Sequence, residues 1–101
     1  MTTKSYKRIE AVAKTGAILK YLAGQKEPVP APVIGHAVSM PTPTVMCHLN
    51  TLEEIGFVQG INDHWKLGFG LALIYARVKS ALEAEHARIG SEIHKLENGG
   101  E

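Results

Sequence analysis

Residues 32–57 read PVIGHAVSMPTPTVMCHLNTLEEIGF, and the punctuation in this stretch decides what the rest of the chain must pack against. Thr42 offers a side-chain oxygen to the first free backbone N–H groups of a helix, and Pro43 has its φ preset for the first helical residue. Gly56 directly follows Ile55, the last apolar position, and is able to adopt the left-handed conformation that closes a helix. Between these signals Val45, Leu49, Leu52 and Ile55 recur at spacings of three and four and gather on one side as a core stripe. Met46 sits at the stripe's edge, and Thr44, Cys47, His48, Asn50, Thr51 and Glu54 point elsewhere. A shorter helix carrying Ile34, Ala37 and Val38 comes first, and Ser39, Met40 and Pro41 leave only a turn between the two.

Helices joined this tightly cross steeply, which is the geometry of a helix-turn-helix, and the second helix of that motif is the one offered to a DNA groove. A plain helical hairpin in a small α protein has the same spacing, so the flanking segments must discriminate. Ser5 to Ala23 reads as a preceding helix, capped by Ser5, with Ile9, Val12, Ala13, Gly16, Leu19 and Leu22 as its buried face. Lys4, Lys7, Arg8 and Lys14 make its first half basic, where the helix macrodipole disfavours cations. An anionic partner would offset that cost, and a solvated helix end is the plainer account.

Gly24 to Pro32 is a connector in which Pro28, Pro30 and Pro32 deny helix continuation and favour extended backbone. Val29 is expected to turn inward, and Pro32 fits the first turn of the next helix. After Gly56 the period changes from helical to alternating: Phe57–Ile61, then Asn62-Asp63, then His64–Leu67. Two short strands about an Asn-Asp turn make a β-hairpin with Trp65 and Leu67 facing the core and Lys66 and His64 facing out. A hairpin placed directly after a helix-turn-helix is a wing, suited to contacts with the DNA backbone.

At this point a family resemblance becomes specific. Ala17-Ile18-Leu19-Lys20-Tyr21-Leu22-Ala23, the proline-bearing connector, Met40-Pro41-Thr42-Pro43-Thr44-Val45, Leu49-Asn50-Thr51-Leu52-Glu53-Glu54-Ile55-Gly56-Phe57-Val58 and Trp65-Lys66-Leu67-Gly68 together resemble the N-terminal winged helix-turn-helix of IclR-type transcriptional regulators, over roughly residues 11 to 75. The resemblance implies a homodimer that binds double-stranded DNA sequence-specifically, with residues 42–51 at the major groove and the hairpin against the backbone. Thr42, Thr44, Met46, Cys47, His48, Asn50 and Thr51 are then the groove-facing candidates. His64, Lys66, Lys4, Lys7, Arg8 and Lys14 are candidates for the backbone, with Arg77 and Lys79 also basic. The sequence departs from the family pattern in three places. Cys47 replaces an arginine or similar polar residue on a helix with no Lys or Arg, Ser39 replaces a turn glycine, and the hairpin turn is short.

IclR-type regulators carry an effector-sensing domain after the DNA-binding one, and none is expected within these 101 residues. Phe69 to Leu96 instead reads as one long helix with Leu71, Ile74, Val78, Leu82, Glu85, Ile89, Ile93 and Leu96 at three- and four-residue steps. Its first turns should pack on the domain. Beyond about Ala81 the stripe would face water, so Ile74, Val78, Leu82, Ile89, Ile93 and Leu96 are expected to pair with a second copy. The fold class expected is mainly α with a small β-hairpin: a winged helix-turn-helix over residues 1–68, a long C-terminal helix over 69–96, and a disordered tail over 97–101.

Composition narrows the function classes further. A hydrophobic content of 45% suits one core, and a formal charge of +1 means that any nucleic-acid footprint must come from local clustering. The single cysteine, Cys47, excludes an internal disulfide and a CxxC motif. No signal-peptide run and no stretch of eighteen apolar residues occurs, which points to a cytoplasmic, nucleoid-associated protein of a prokaryote or phage with no membrane partner. The histidines at 36, 48, 64, 86 and 94 avoid the i,i+4 spacing of paired ligands, so no metal or cofactor is expected. Catalytic motifs are absent as well, and the chain is read as a non-enzyme. Two competing readings stand beside the regulator. One is a protein-interaction adaptor that uses the uncharged helix. The other is a phage or mobile-element accessory factor with little sequence preference.

Overall fold

The computed structural model describes residues 6–97. Its centre is the crossing of α2 (Ala31–Val38) and α3 (Thr42–Glu54). Ser39 closes α2 in the left-handed region at φ 59°, ψ 48°, the conformation that a turn glycine usually supplies. Met40 N–H donates to the Gly35 carbonyl at 2.8 Å, and Val45 N–H donates to the Pro41 carbonyl at 3.0 Å. A Cβ on Gly35 would lie 2.5 Å from the Met40 carbonyl oxygen, so a hydrogen atom at this position is what lets the turn fold back on its own helix.

Around that crossing stand α1 (Glu10–Ala23), β1 (Val29–Pro30), β2 (Val58–Ile61), β3 (His64–Leu67) and α4 (Phe69–Glu97). The strands form an antiparallel sheet in the order β1-β3-β2. Ile18 and Leu22 of α1, Ala31 and Ile34 of α2, Met40 of the turn, Val45, Leu49 and Leu52 of α3, and Val29, Val58 and Trp65 of the sheet close one core. Among the described residues no polar or charged side chain is buried in it.

The expected wing is present, with Asn62 and Asp63 both at positive φ as a two-residue hairpin turn requires. The winged helix-turn-helix and the long C-terminal helix are likewise as expected. The connector, however, contains a third strand: Val29 pairs with Trp65 and Pro30 with His64. Proline has no N–H to give a ladder, and a two-residue segment at a sheet edge tolerates that loss.

The helix boundaries require corrections. α1 starts at Glu10 rather than Ser5; Ser5 and Lys4 lie outside the described residues. Extended Ile9 is its N-cap, with no side chain capping it, and Glu10 is the acidic residue of its first turn. Lys7 and Arg8 therefore precede the helix, whose positive end they would have opposed. The buried face of α1 is centred on Ile18 and Leu22, whereas Ile9 and Val12 are exposed. On α2, Ala31, Ile34 and Gly35 are buried and Ala37 is exposed. Pro41 and not Thr42 is the N-cap of α3, which places Pro43 deeper in the first turn, still among the N–H groups that no carbonyl reaches.

At the other end of α3 Gly56 takes φ 85°. Its N–H reaches the Glu53 carbonyl at 3.0 Å and Phe57 N–H reaches Leu52 at 2.8 Å, the paired bonds of a Schellman closure. Ile55 sits at the cap itself, off the buried stripe, and is 54% exposed. α4 leaves the domain at once. Gly70 N–H donates to the Gly56 carbonyl at 2.9 Å and Leu71 is half-buried, but no α4 residue is fully buried. The turns from Ala72 onward project, earlier than the sequence pattern suggests, because a short sheet offers no second apolar face for them to cover.

Two substitutions test this account of the crossing by urea denaturation. Gly35→Ala should cost more than about 2 kcal/mol, because backbone rather than a flexible side chain blocks the new methyl group. Ser39→Gly should stabilise the fold by roughly 0.5–1 kcal/mol by relieving the left-handed conformation.

Candidate nucleic-acid interface

α3 has two sides of opposite character. Val45, Leu49 and Leu52 face inward, and Pro43, Thr44, Cys47, Asn50, Thr51 and Glu54 are exposed on the far side. This follows from the three- and four-residue spacing of the apolar positions, which leaves the intervening residues in solvent. Thr51 Oγ1 donates to the Cys47 carbonyl at 3.0 Å, so its hydroxyl hydrogen is engaged within the helix. Thr44 and Asn50 make no side-chain hydrogen bond to any described residue, leaving their donors and acceptors to an outside partner. Base edges in the major groove are recognised by groups of this kind.

The remaining groove candidates on α3 sit differently. Thr42 is half-buried at the helix start, and Met46 is half-buried and packed against the core. His48 is half-buried, with its Nδ1 2.6 Å from Thr15 Oγ1 of α1. Thr15 Oγ1 also donates to the Ala11 carbonyl at 2.9 Å, so its one hydrogen is used there and His48 Nδ1–H must be the donor in the bond between the two side chains. His48 thus braces α3 against α1. No sequence pattern announces this pair, whose members are 33 residues apart.

A second brace ties α3 to the wing: Gly60 N–H donates to Glu53 Oε2 at 3.2 Å. Glu53 and Glu54 sit at the C-terminal end of α3 with no cation in its last turn. The Trp65 ring lies against Gly60 of the facing strand and is buried there, while His64 and Lys66 of β3 are exposed. Lys7, Arg8 and Lys14 are exposed at the start of the chain, and Arg8 is paired with Glu10 at 3.2 Å. The positive charges near the helix-turn-helix thus flank α3 and do not lie on it.

Between α1 and α3 runs an open, mostly apolar groove of about 360 Å³, lined by Ala11, Thr15, Cys47, His48, Thr51, Leu52 and Ile55. Cys47, a free thiol, is at its exposed margin. Among the described residues no group of three or more His, Cys, Asp or Glu is placed to hold a metal ion, and no helix is long and apolar enough to cross a membrane.

A helix seated in a shared core with its polar side outward, followed at once by a braced hairpin, defines a winged helix-turn-helix. Residues 11–60 match the model of the IclR helix-turn-helix domain. The chain carries an IclR-type winged helix-turn-helix, a DNA-binding domain of transcription regulators. Among solved structures, the crystal structure of HmgR from Pseudomonas aeruginosa shares the fold, with a TM-score of 0.54 and 24% identity. The match covers 82% of this chain and 31% of that one, so the chain spans about a third of that protein's length. No curated protein matches the sequence.

The α1–α3 brace is open to a double-mutant cycle on thermal or urea stability. Thr15→Val and His48→Leu should couple by about 0.5–1.5 kcal/mol, the range for a hydrogen bond between partly buried groups.

Proposed function

We propose that this protein is a homodimeric transcription regulator that recognises a specific duplex through the exposed side of α3, with the wing on the sugar–phosphate backbone. The observation that carries the proposal is that Thr44, Cys47, Asn50 and Thr51 are held outward on a helix whose other side is fixed in the core of an IclR-type domain. Thr44 and Asn50 supply donors and acceptors, and the Cys47 sulfur suits a thymine methyl group. Lys66 and the basic residues before α1 supply phosphate contacts. In this reading residues 1–68 are the DNA-binding unit and 69–96 the pairing unit.

Dimerisation is assigned to α4. Ile74, Val78, Leu82, Ile89, Ile93 and Leu96 are each between 43% and 80% exposed, an apolar stripe along a helix of 29 residues. A stripe of that length left in water favours self-association, and a two-stranded coil removes it. Ile9, the N-cap of α1, and Val12 in its first turn are exposed apolar residues as well. Glu85 interrupts the stripe, and Arg88 holds it together with Glu92, the latter at 3.1 Å. A carboxylate in a helical seam costs stability and restricts the registers that two helices can adopt.

The test is selection of bound duplexes from a random pool, followed by salt titration on the recovered sequence. A palindromic consensus is expected, with half-sites separated by whole helical turns. Asn50→Ala should weaken binding to it by about 1–3 kcal/mol and relax one base position, and Lys66→Ala should lower the salt slope by roughly one unit per protomer. Leu82→Glu should dissociate the dimer in sedimentation equilibrium, whereas Glu85→Leu should tighten it. The absence of any Lys or Arg on the exposed side of α3 favours one other reading, a protein-interaction adaptor. An adaptor would recover no consensus and show no salt-dependent duplex binding.

A further inference from the structure

His64 stands at the start of β3, immediately after the Asn62-Asp63 turn, with its side chain exposed. Its Nδ1 lies 2.8 Å from the Asn62 carbonyl oxygen. A carbonyl oxygen only accepts, so Nδ1 carries the hydrogen and the neutral ring is fixed in that tautomer. Nε2 is then bare, and a bare ring nitrogen meets a phosphate oxygen lone pair to lone pair. Protonation turns Nε2 into a donor and adds a positive charge, and it leaves the Nδ1–H bond to Asn62 intact. From this geometry we infer that His64 is a phosphate-binding residue of the wing that works only as an imidazolium, so that duplex binding takes up one proton per protomer at this side chain. The inference rests on the DNA-binding reading above and adds a proton to it.

The surroundings leave room for this role. Lys66 is exposed two residues along the same strand, on the same side of the sheet, and Asp63 precedes His64 in the turn. Across the ladders His64 pairs with Ile61 on β2 and Pro30 on β1, neither of which titrates. Lys26 and Glu27 of the connector border a groove with Lys66. The exposed side of α3 has no cation of its own, so one conditional charge on the wing is a large share of the positive charge near the duplex. Of the other histidines, His48 is turned toward Thr15, His36 is on α2, and His86 and His94 lie along α4.

The test uses the full chain and a fluorescein-labelled mixed-sequence duplex of about 30 base pairs. Fluorescence anisotropy is read at fixed low ionic strength, at about pH 5.5 and about pH 8, on either side of the range in which imidazoles titrate. The wild-type chain should bind more tightly at the lower pH by about tenfold for each protomer engaged, the gain expected of one charge-assisted hydrogen bond, and so by about a hundredfold for a dimer with both wings on the duplex. His64→Ala should bind at both pH values with the wild type's alkaline affinity, and His64→Lys, charged throughout, should bind tightly at both. His36→Gln should keep the wild-type ratio. Equal wild-type affinities at the two pH values, or a ratio that survives His64→Ala, would overturn the inference and leave the DNA-binding reading standing. A wild type that binds the duplex at neither pH would remove both.

Discussion

Everything in this domain depends on how closely the turn after α2 comes back to α2 itself. With only a hydrogen on Gly35, the Met40 carbonyl approaches the helix backbone and Met40 turns into the core. That approach sets the crossing of α2 and α3, and the crossing determines which side of α3 is covered. Val45 and Ile34, one on each helix, are both fully buried in the core beneath the turn. The exposed set from Pro43 to Glu54 follows from their burial. The exposed side of α3 is the remainder of a packing problem: the residues that the core does not need are the ones left free to meet a partner.

The braces around α3 act on the same geometry by other means. Glu53 reaches the wing through Gly60 N–H, and His48 reaches α1 through Thr15. Neither is deeply buried, and each is worth about 1 kcal/mol. Their contribution is positional, since they connect the middle and the C-terminal end of α3 to different neighbours and limit its rolling. Polar residues that looked available for bases in the sequence therefore divide into two groups. Thr44 and Asn50 remain available, while His48 is committed to holding the helix in place.

Much of the fold was legible in the sequence because its punctuation is local. Gly56 closing α3, the Asn62-Asp63 turn and the switch from helical to alternating pattern each act within four or five residues, and each falls where expected. What escaped was what depends on distance along the chain. β1 is two residues long and exists only because β3 lies beside it, so no periodicity could reveal Val29-Pro30 as a strand. α1 starts at Glu10, later than the apolar pattern predicts, because the spacing of Ile9 and Val12 continues past the point where the core ends. Ile55 fits the α3 pattern by spacing alone, and one residue of cap geometry moved it outside. Of the candidate site, the sequence pattern makes legible only which α3 residues are exposed; the bracing bonds of Glu53 and His48 depend on partners that no short window contains.

The root of α4 has a mechanical consequence. Its first turn is bonded to the Gly56 backbone, at the end of the helix that faces outward, and the approach is so close that a Cβ on Gly70 would lie 2.8 Å from the Gly56 oxygen. A rod of ~40 Å is thus clamped, without an intervening hinge loop, to the same residue that terminates α3. A tilt of about 10° at the clamp would swing its far tip by ~7 Å. Conversely, whatever grips the tip gains leverage over the pitch of α3, and strain applied far from the duplex would be felt first at Gly56.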